Sequence, residues 1–417
     1  MAEIRIQSAR GVASGLPGPE RLASLMRPGT LNLTALPPLS LYVHLPWCLR
    51  KCPYCDFNSH EWRDGRELPV AVAQAYLAAL RADLEAALPL IWGRPVVSVF
   101  IGGGTPSLFA PEQIAELISD LRARLPLEAG CEITLEANPG TFEKDRFRGF
   151  AAAGVTRLSI GVQSFDDAKL KVLGRVHDGA QARAAIKEAA QAFETFNIDL
   201  MYALPGQTLA ELERDLDLAL GFNPPHLSVY HLTIEPNTRF ALQPPEVPDD
   251  DLASDMLDLI TARTGQQGME RYEVSAYARH GHRCGHNLNY WQFGDYLGIG
   301  AGAHSKLSFP HRVLRQVRWR EPAAYQSKAL AGEAVSNEHE VTRGELPFEF
   351  MLNALRLREG VSLASFLERT GLPPSSIAPG LAQARAMGLL REDAARIEPT
   401  ERGFDFLSDL QSLFLKA

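Results

Sequence analysis

The segment PWCLRKCPYCDF (residues 46–57) contains three of the five cysteines in this 417-residue chain. Cys48, Cys52 and Cys55 have Cys-x3-Cys-x2-Cys spacing, and the preceding run LSLYVHLP (residues 39–46) predicts a buried strand. The thiolates are therefore expected on a loop at the carboxyl end of that strand. Three thiolates can bind three irons of a 4Fe–4S cluster and leave the fourth iron open, whereas electron-transfer clusters normally have four cysteine ligands. Zinc held by three cysteines and a histidine is the competing interpretation, although zinc fingers usually have two separate ligand pairs.

Five more β-branched or apolar runs alternate with helical stretches after this loop. They are VVSVFIGGG (96–104), EITLEANPG (132–140), RLSIGVQS (157–164), NIDLMYALPG (197–206) and HLSVYHLTIEP (226–236). Six strand–helix units predict parallel strands with right-handed crossovers, and both a barrel and an open doubly wound sheet satisfy this pattern. In a barrel, the polar residues that follow the strands form one mouth, where active sites of this architecture lie. Six units instead of eight leave such a barrel partly open.

The composition is that of an ordinary globular protein, with 46% hydrophobic and 22% charged residues. The 42 basic and 50 acidic side chains give a formal net charge of −8, which argues against a dedicated nucleic-acid binder. No run of 18 apolar residues occurs, so we expect no transmembrane segment, although peripheral membrane association is compatible with the sequence. The clustered cysteines favour metal binding in a reducing cytoplasm over a disulfide framework.

The cysteine loop and the following glycine-rich strand end resemble the signature of the radical S-adenosylmethionine (SAM) superfamily. This resemblance implies that the open iron binds the amino and carboxylate groups of SAM, and that Gly103, Gly104 and Thr105 contact its methionine part. By their positions near strand ends, further cofactor contacts are implied for Tyr42, Tyr54, Glu136, Gln163, Arg175 and Asp199. Each of these also has an ordinary structural explanation, such as a polar group at a strand end or a surface ion pair.

The resemblance extends to a branch that contains anaerobic coproporphyrinogen dehydrogenases and HemW-type haem chaperones. The shared motifs are FIGGGTPSL, LEANPG, SIGVQSF, HNLNYW and GDYLGIGAGAHS. The dehydrogenases have a further cysteine two residues after the third, where this chain has Phe57, and HNLNYW (286–291) matches the HNxxYW motif of the haem chaperones. The resemblance implies that His286 ligates haem iron and that Tyr290 and Trp291 pack against the porphyrin. The alternative is a glycine-rich surface loop with solvated histidines.

The basic segment HRVLRQVRWR (311–320) has two interpretations. Arg312, Arg315, Arg318 and Arg320 are expected on a solvated face, and haem propionates are their alternative partners. Cys131 is expected to be a small apolar core residue.

The expected fold is α/β, a partial (β/α)6 TIM-like radical-SAM barrel followed by a mainly helical, winged-helix-like C-terminal domain. The expected division is a flexible N-terminal extension (1–37), the barrel (38–240), a bridging region with the HNxxYW motif (241–340) and the C-terminal domain (341–417). A DNA-binding role for the last domain is disfavoured by the acidic balance and the lack of a basic recognition helix.

Three functions fit these features. The first is a chaperone that binds haem, a 4Fe–4S cluster and SAM and delivers haem to respiratory haem proteins. The second is oxygen-independent coproporphyrinogen III dehydrogenation, and the third is another radical-SAM reaction. Phe57 and the HNxxYW motif favour the first, whereas the sequence leaves open whether the protein turns over SAM as an enzyme.

Overall fold

The computed structural model describes residues 18–64, 68–140 and 146–415. The strands are β1 (Leu39–Leu45), β2 (Trp47–Cys48), β3 (His60–Glu61), β4 (Val96–Gly103), β5 (Leu127–Ala137), β6 (Arg157–Gln163), β7 (Thr195–Tyr202), β8 (His226–His231), β9 (Glu270–Arg271), β10 (Ala276–Ala278), β11 (Asp295–Ile299), β12 (His304–Phe309), β13 (Arg312–Arg318), β14 (Val335–Glu340), β15 (Val361–Ser362) and β16 (Arg396–Ile397).

The helices mostly alternate with these strands. They are α1 (Gly18–Leu25), α2 (Val70–Ile91), α3 (Pro111–Arg124), α4 (Phe147–Ala153), α5 (Asp167–Val172), α6 (Gly179–Ala192), α7 (Leu209–Gly221), α8 (Arg239–Leu242), α9 (Asp250–Gln266), α10 (Gly285–Trp291), α11 (Pro322–Leu330), α12 (Leu346–Ala354), α13 (Leu363–Thr370), α14 (Ala378–Ala386), α15 (Glu401–Asp405) and α16 (Leu407–Ser412). Two short 3₁₀ helices span Pro106–Leu108 and Pro374–Ser376.

One 12-stranded sheet dominates the fold, in the order β14-β13-β12-β11-β1-β4-β5-β6-β7-β8-β10-β9. The six predicted strands, β1 and β4 to β8, are parallel neighbours in chain order, as the (β/α)6 interpretation requires. The first and last barrel strands, β1 and β8, do not pair with each other in this sheet, so the barrel is open. The expected partial barrel is confirmed.

Residues 241–340 extend this sheet at both ends. Strand β11 pairs in parallel with β1, and β12 to β14 continue beyond it as antiparallel strands. At the opposite end, β10 pairs with β8 and β9 pairs with β10. The inner face of the barrel therefore continues past β1 onto β11 to β14, which lie in the predicted bridging region.

The C-terminal part of the chain has its own apolar core. Phe350, Phe366, Leu381 and Leu410 belong to it, and β15 pairs with β16 beside its helices. The expected helical domain with a small hairpin fits this arrangement, because Leu390 also forms an antiparallel bridge with Pro399.

The N-terminal extension differs from the expectation of flexibility. Residues 1–17 lie outside the described residues. In the remainder, Leu25 at the end of α1 is fully buried in the main core, and Leu31 and Leu33 are buried in the C-terminal core. The prediction is therefore wrong for residues 18–37, because burial of these leucines anchors the segment on both cores.

The predicted solvated face of four arginines is also wrong in part. Arg318 is 1% exposed, and its Nε donates to Asp83 Oδ1 at 3.3 Å, 235 residues earlier in the chain. Arg312 pairs with Glu340 at 3.5 Å and Arg315 with Glu349 at 2.6 Å. These three guanidinium groups form ion pairs with carboxylates of other helices and strands, because a buried or half-buried cation requires a partner.

Candidate functional site

The first cavity has a volume of about 710 Å³ and lies at the carboxyl ends of the barrel strands. Eleven of the predicted cluster and cofactor residues line it: Cys48, Cys52, Tyr54, Cys55, Gly103, Gly104, Thr105, Glu136, Gln163, Arg175 and Asp199. Tyr42 is the exception, since it lines a second cavity beside the first. The volume is within the range of about 300–1,000 Å³ typical of cofactor sites.

Each cysteine sulfur of the loop has a hydrogen-bonding neighbour. Thr105 Oγ1 donates to Cys48 Sγ at 3.4 Å, Arg175 Nη1 donates to Cys52 Sγ at 3.6 Å, and Cys55 Sγ lies 3.6 Å from Ser59 Oγ. Such donors to sulfur set the reduction potential of iron–sulfur centres. A set of three thiols, each with a hydrogen-bonding neighbour, fits a cluster held at three corners.

Asn138 connects two of these donors. Its Nδ2 donates to Thr105 Oγ1 at 2.8 Å, and its Oδ1 accepts from Arg175 Nη2 at 2.5 Å. Arg175 Nη2 also donates to the carbonyl of Gly161 at 2.7 Å. The sequence analysis did not select Asn138, although its position in LEANPG at the end of β5 was a usable signal.

Without metal, burial favours the protonated thiols of Cys48 and Cys55. Burial, assisted by charge on Cys55 and Cys52, raises the pKa of Cys48 to about 11, although the Thr105 hydrogen bond opposes the shift. Burial also raises the pKa of Cys55. Metal binding would therefore release protons, since the thiolate is the ligand form.

In residues 18–64, 68–140 and 146–415, no three His, Cys, Asp or Glu side chains are grouped to hold a single metal ion.

Two carboxyl groups face the same cavity from β5 and β7. Burial and the charge of Asp199 raise the pKa of Glu136 to about 8, even though the Gly103 amide donates to its Oε2 at 3.0 Å. Burial raises the pKa of Asp199 to about 6, while hydrogen bonds from Ser159 and Asn197 oppose the shift. A cationic ligand with hydroxyl groups would favour the ionised forms. SAM has both an ammonium group and ribose hydroxyls, so the residues fit it.

Asn197 organises the polar residues beneath Asp199. Its Oδ1 accepts from Ser228 Oγ at 3.1 Å and lies 2.7 Å from His226 Nδ1, while its Nδ2 donates to Ser159 Oγ at 2.8 Å. The sequence analysis did not predict these residues. They lie at alternate positions of β6 to β8, and alternate side chains of a strand point to the same face, which was a usable signal.

The glycines at the end of β4 permit close approach of a ligand. Gly103 has φ +120°, and a Cβ there would lie 2.7 Å from Cε1 of His44. A Cβ on Gly104 would lie 2.6 Å from the carbonyl oxygen of Trp47, in the cysteine loop. Neither position accepts a larger residue without displacing the loop or His44.

The second cavity, of about 510 Å³, adjoins the first. Asp56, Phe57, Gly103 and Glu136 line both cavities. Aromatic side chains on its wall are Tyr42, Phe57, Tyr290, Trp291, Phe293 and Tyr296, and basic ones are His44, His304, Lys306, Arg315 and Arg320. The wall is thus rich in aromatic and basic side chains, and its acidic members, Asp56 and Glu136, are shared with the first cavity.

The predicted haem-binding residues separate in the structure. Tyr290 and Trp291 line the second cavity, whereas His286 lines neither cavity and is 1% exposed. Nδ1 of His286 lies 3.1 Å from Ser98 Oγ, and its buried Nε2 has no hydrogen-bond partner among the residues that the structure describes. Burial lowers the pKa of His286 to about 3, so its imidazole is neutral.

Trp291 joins the second cavity to the C-terminal core. Its ring packs against that core, and the Arg356 guanidinium lies 4.2 Å from the ring centroid. Arg356 also lines the first cavity and donates to Glu273 at 3.2 Å. Of the remaining cysteines, Cys284 is buried and lines the first cavity, whereas Cys131 is only half-buried. The expectation for Cys131 is therefore wrong in degree, because it packs at the edge of the main core.

Two family models match the chain. The Radical SAM superfamily model matches residues 42–219, and the HemN C-terminal domain model matches residues 341–406. In the described part of the chain, no helix combines the length and apolarity needed to cross a bilayer.

Curated relatives match nearly the whole chain. The heme chaperone HemW of Escherichia coli is 48% identical over 92% of this chain and 100% of that protein. HemW of Haemophilus influenzae is 46% identical over 91% and 98%, respectively. Among solved structures, the coproporphyrinogen III oxidase HemN of Escherichia coli, a radical SAM enzyme, superposes with a TM-score of 0.78 at 26% identity, covering 94% of this chain and 92% of that chain.

Proposed function

The chain belongs to the radical SAM superfamily and, within it, to the family of the haem chaperone HemW, and we propose that it binds haem and delivers it to respiratory haem proteins. The observation that carries this function is the 48% identity over 92% of this chain and the full length of a haem chaperone. The site adds a second, aromatic and basic cavity that suits a porphyrin with carboxylate side chains.

Coproporphyrinogen dehydrogenation is the less supported alternative. The HemN structure shares the fold, but at 26% identity. Phe57, which stands where the dehydrogenases are expected to have a further cysteine, is 63% exposed at the junction of the two cavities. An exposed phenylalanine there favours contact with an apolar ligand over thiol chemistry.

We infer that Cys48, Cys52 and Cys55 hold a 4Fe–4S cluster, and that Glu136, Asp199 and the β4 glycines hold SAM. When bound, this pair supplies one-electron chemistry on the sulfonium of SAM. The chain itself contributes the donors to sulfur, the buried carboxyl groups and the walls that exclude water. Tyr54, Gln163 and Arg175 complete the proposed cofactor wall.

Haem is proposed to occupy the second cavity against Tyr290 and Trp291. The expected ligand, His286, has a neutral ring and a free Nε2, but its burial means that α10 would have to shift before iron could reach it. We place the protein in the cytoplasm, where clustered thiols stay reduced, with haem-receiving respiratory proteins as its partners.

Anaerobically reconstituted protein tests this function. Wild type should bind haem at about one equivalent and should form no vinyl groups from coproporphyrinogen III with reductant and SAM. The Phe57→Cys variant should behave in the same way in the decarboxylation assay. Vinyl formation by wild type, with no haem complex at micromolar concentrations, would overturn the proposal.

A further inference from the structure

We propose that the second cavity binds haem with His304 as the axial iron ligand and Arg320 as the partner of a propionate. This inference rests on the proposed haem-chaperone function and names the residues of its binding site. Neither residue belongs to the HNxxYW motif, and they lie on β12 and just after β13.

His304 is the histidine of this cavity that is free to bind iron. Its side chain is exposed and lines the cavity, and no hydrogen-bond partner of its ring is found among the described residues. His44, the other histidine on the wall, uses both ring nitrogens, one 2.9 Å from the Tyr42 hydroxyl and one 2.9 Å from the Asn58 carbonyl. His286 is enclosed outside the cavity.

Register places His304 on the continuation of the barrel's inner face. Across β1 and β11, Tyr42 pairs with Gly298, and Tyr296 pairs with Lys306 on β12. His304 is two residues from Lys306, so both side chains project to the same side of β12. That side is the wall of the second cavity, next to the proposed cluster and SAM site.

Some basic residues of this wall already pair with carboxylates of the protein, whereas Arg320 does not pair with any described one. Lys306 donates to Asp295 at 3.0 Å, and Arg315 donates to Glu349 at 2.6 Å and to the Tyr296 hydroxyl at 2.7 Å. Arg320 is exposed, and no described carboxylate lies within ion-pair distance of its guanidinium. Its main chain is held at the cavity, because Asn58 Nδ2 donates to the Arg320 backbone carbonyl at 2.8 Å.

The charges around His304 suit iron ligation. Partial desolvation and the nearby Arg315 and Arg320 cations lower the pKa of His304, so the ring is neutral at physiological pH. Neutral imidazole is the form that binds iron, and guanidinium groups bind carboxylates in a bidentate manner. The acidic residues on the cavity wall, Asp56 and Glu136, are those shared with the first cavity, so they lie toward the cofactor side.

The experiment is an anaerobic titration of reconstituted full-length protein with haem, followed by absorption spectra. We expect His304→Ala to lose the histidine-ligand bands and to bind haem at least about tenfold more weakly, with added imidazole restoring the bands. The matched control is His280→Ala, an exposed histidine outside both cavities, which should behave as wild type. His286→Ala should retain the ligand bands.

Haem dimethyl ester tests Arg320 separately because it lacks propionate charge. Arg320→Gln should weaken binding of haem but not of the ester. Unchanged haem spectra and affinity in His304→Ala, or loss of the bands in His286→Ala alone, would overturn the site while leaving the chaperone function intact. No haem binding by wild type would instead overturn the proposed function.

Discussion

Nη1 of Arg175 donates a hydrogen bond to Sγ of Cys52 at 3.6 Å, and the same guanidinium reaches Thr105, the donor to Cys48, through Asn138. A single cation thus lies beside one proposed cluster ligand and positions the donor to another. Positive charge and N–H donors near sulfur favour the reduced, more negative state of an iron–sulfur cluster.

Replacing Arg175 should therefore make the cluster harder to reduce. We expect Arg175→Gln to shift the reduction potential to a more negative value, and Arg175→Lys to shift it less because charge is kept. Potentiometric titration followed by visible absorption measures this. Equal potentials in wild type and Arg175→Gln would show that the guanidinium does not act on the cluster.

The cysteine assignment predicts different outcomes for two cysteines. Cys52→Ala should lose the visible absorption and most of the iron of reconstituted protein, because two remaining thiolates cannot hold the cluster stably. Cys131→Ala is the matched control, since Cys131 lies outside the first cavity, and it should keep both. If Cys52→Ala keeps its colour and iron content, the ligand assignment is wrong.

The raised pKa of Glu136 makes the stability of the cofactor-free protein depend on pH between about 4.5 and about 8. The unfolded carboxyl loses its proton near its ordinary value of 4.5, whereas the folded one keeps it to about pH 8. The folded state therefore binds more protons in this window, and stability falls as pH rises from about 4.5 to about 8. Glu136→Gln should flatten this dependence of Tm.

The exposed Glu112 on α3 provides the control for that measurement. Glu112→Gln should leave the wild-type pH dependence of Tm in place. The same pH dependence of Tm in Glu136→Gln as in wild type would contradict the raised pKa.

The buried pair of Asp83 and Arg318 joins α2 to the strand β13. Asp83 also accepts from the Tyr325 hydroxyl at 2.9 Å. Asp83→Ala should lower the free energy of unfolding by about 3–5 kcal/mol, because it leaves a buried guanidinium without its partner. Lys328→Ala, which breaks an exposed pair with Glu333, should cost far less because solvent screens the pair. Urea unfolding measures both, and similar losses would contradict the structural role of Asp83.

The sequence pattern predicted the six parallel strand–helix units, whereas the choice of a barrel and most of the proposed cofactor residues came from the family resemblance. Strand runs and helical stretches alternate locally, so the six parallel units follow from periodicity alone. Carboxyl ends of parallel strands share one edge, which explains why Glu136, Arg175 and Asp199 meet the cysteine loop in one cavity.

The remainder depends on contacts between distant segments. Nothing local to β11 indicates that it pairs with β1, about 250 residues earlier, or that Arg318 meets Asp83. The HNxxYW motif indicated His286 but not its burial, and it gave no signal for His304, whose place on the cavity wall depends on that pairing.

Haem transfer tests the central claim most directly. Protein loaded with one equivalent of haem is mixed with the haem-free form of a respiratory haem protein, and absorption follows the haem. We predict that wild type transfers haem faster than an equal concentration of free haem is taken up, and that no coproporphyrinogen III is consumed in parallel assays. Haem retained by the loaded protein, together with decarboxylation of coproporphyrinogen III, would contradict the account.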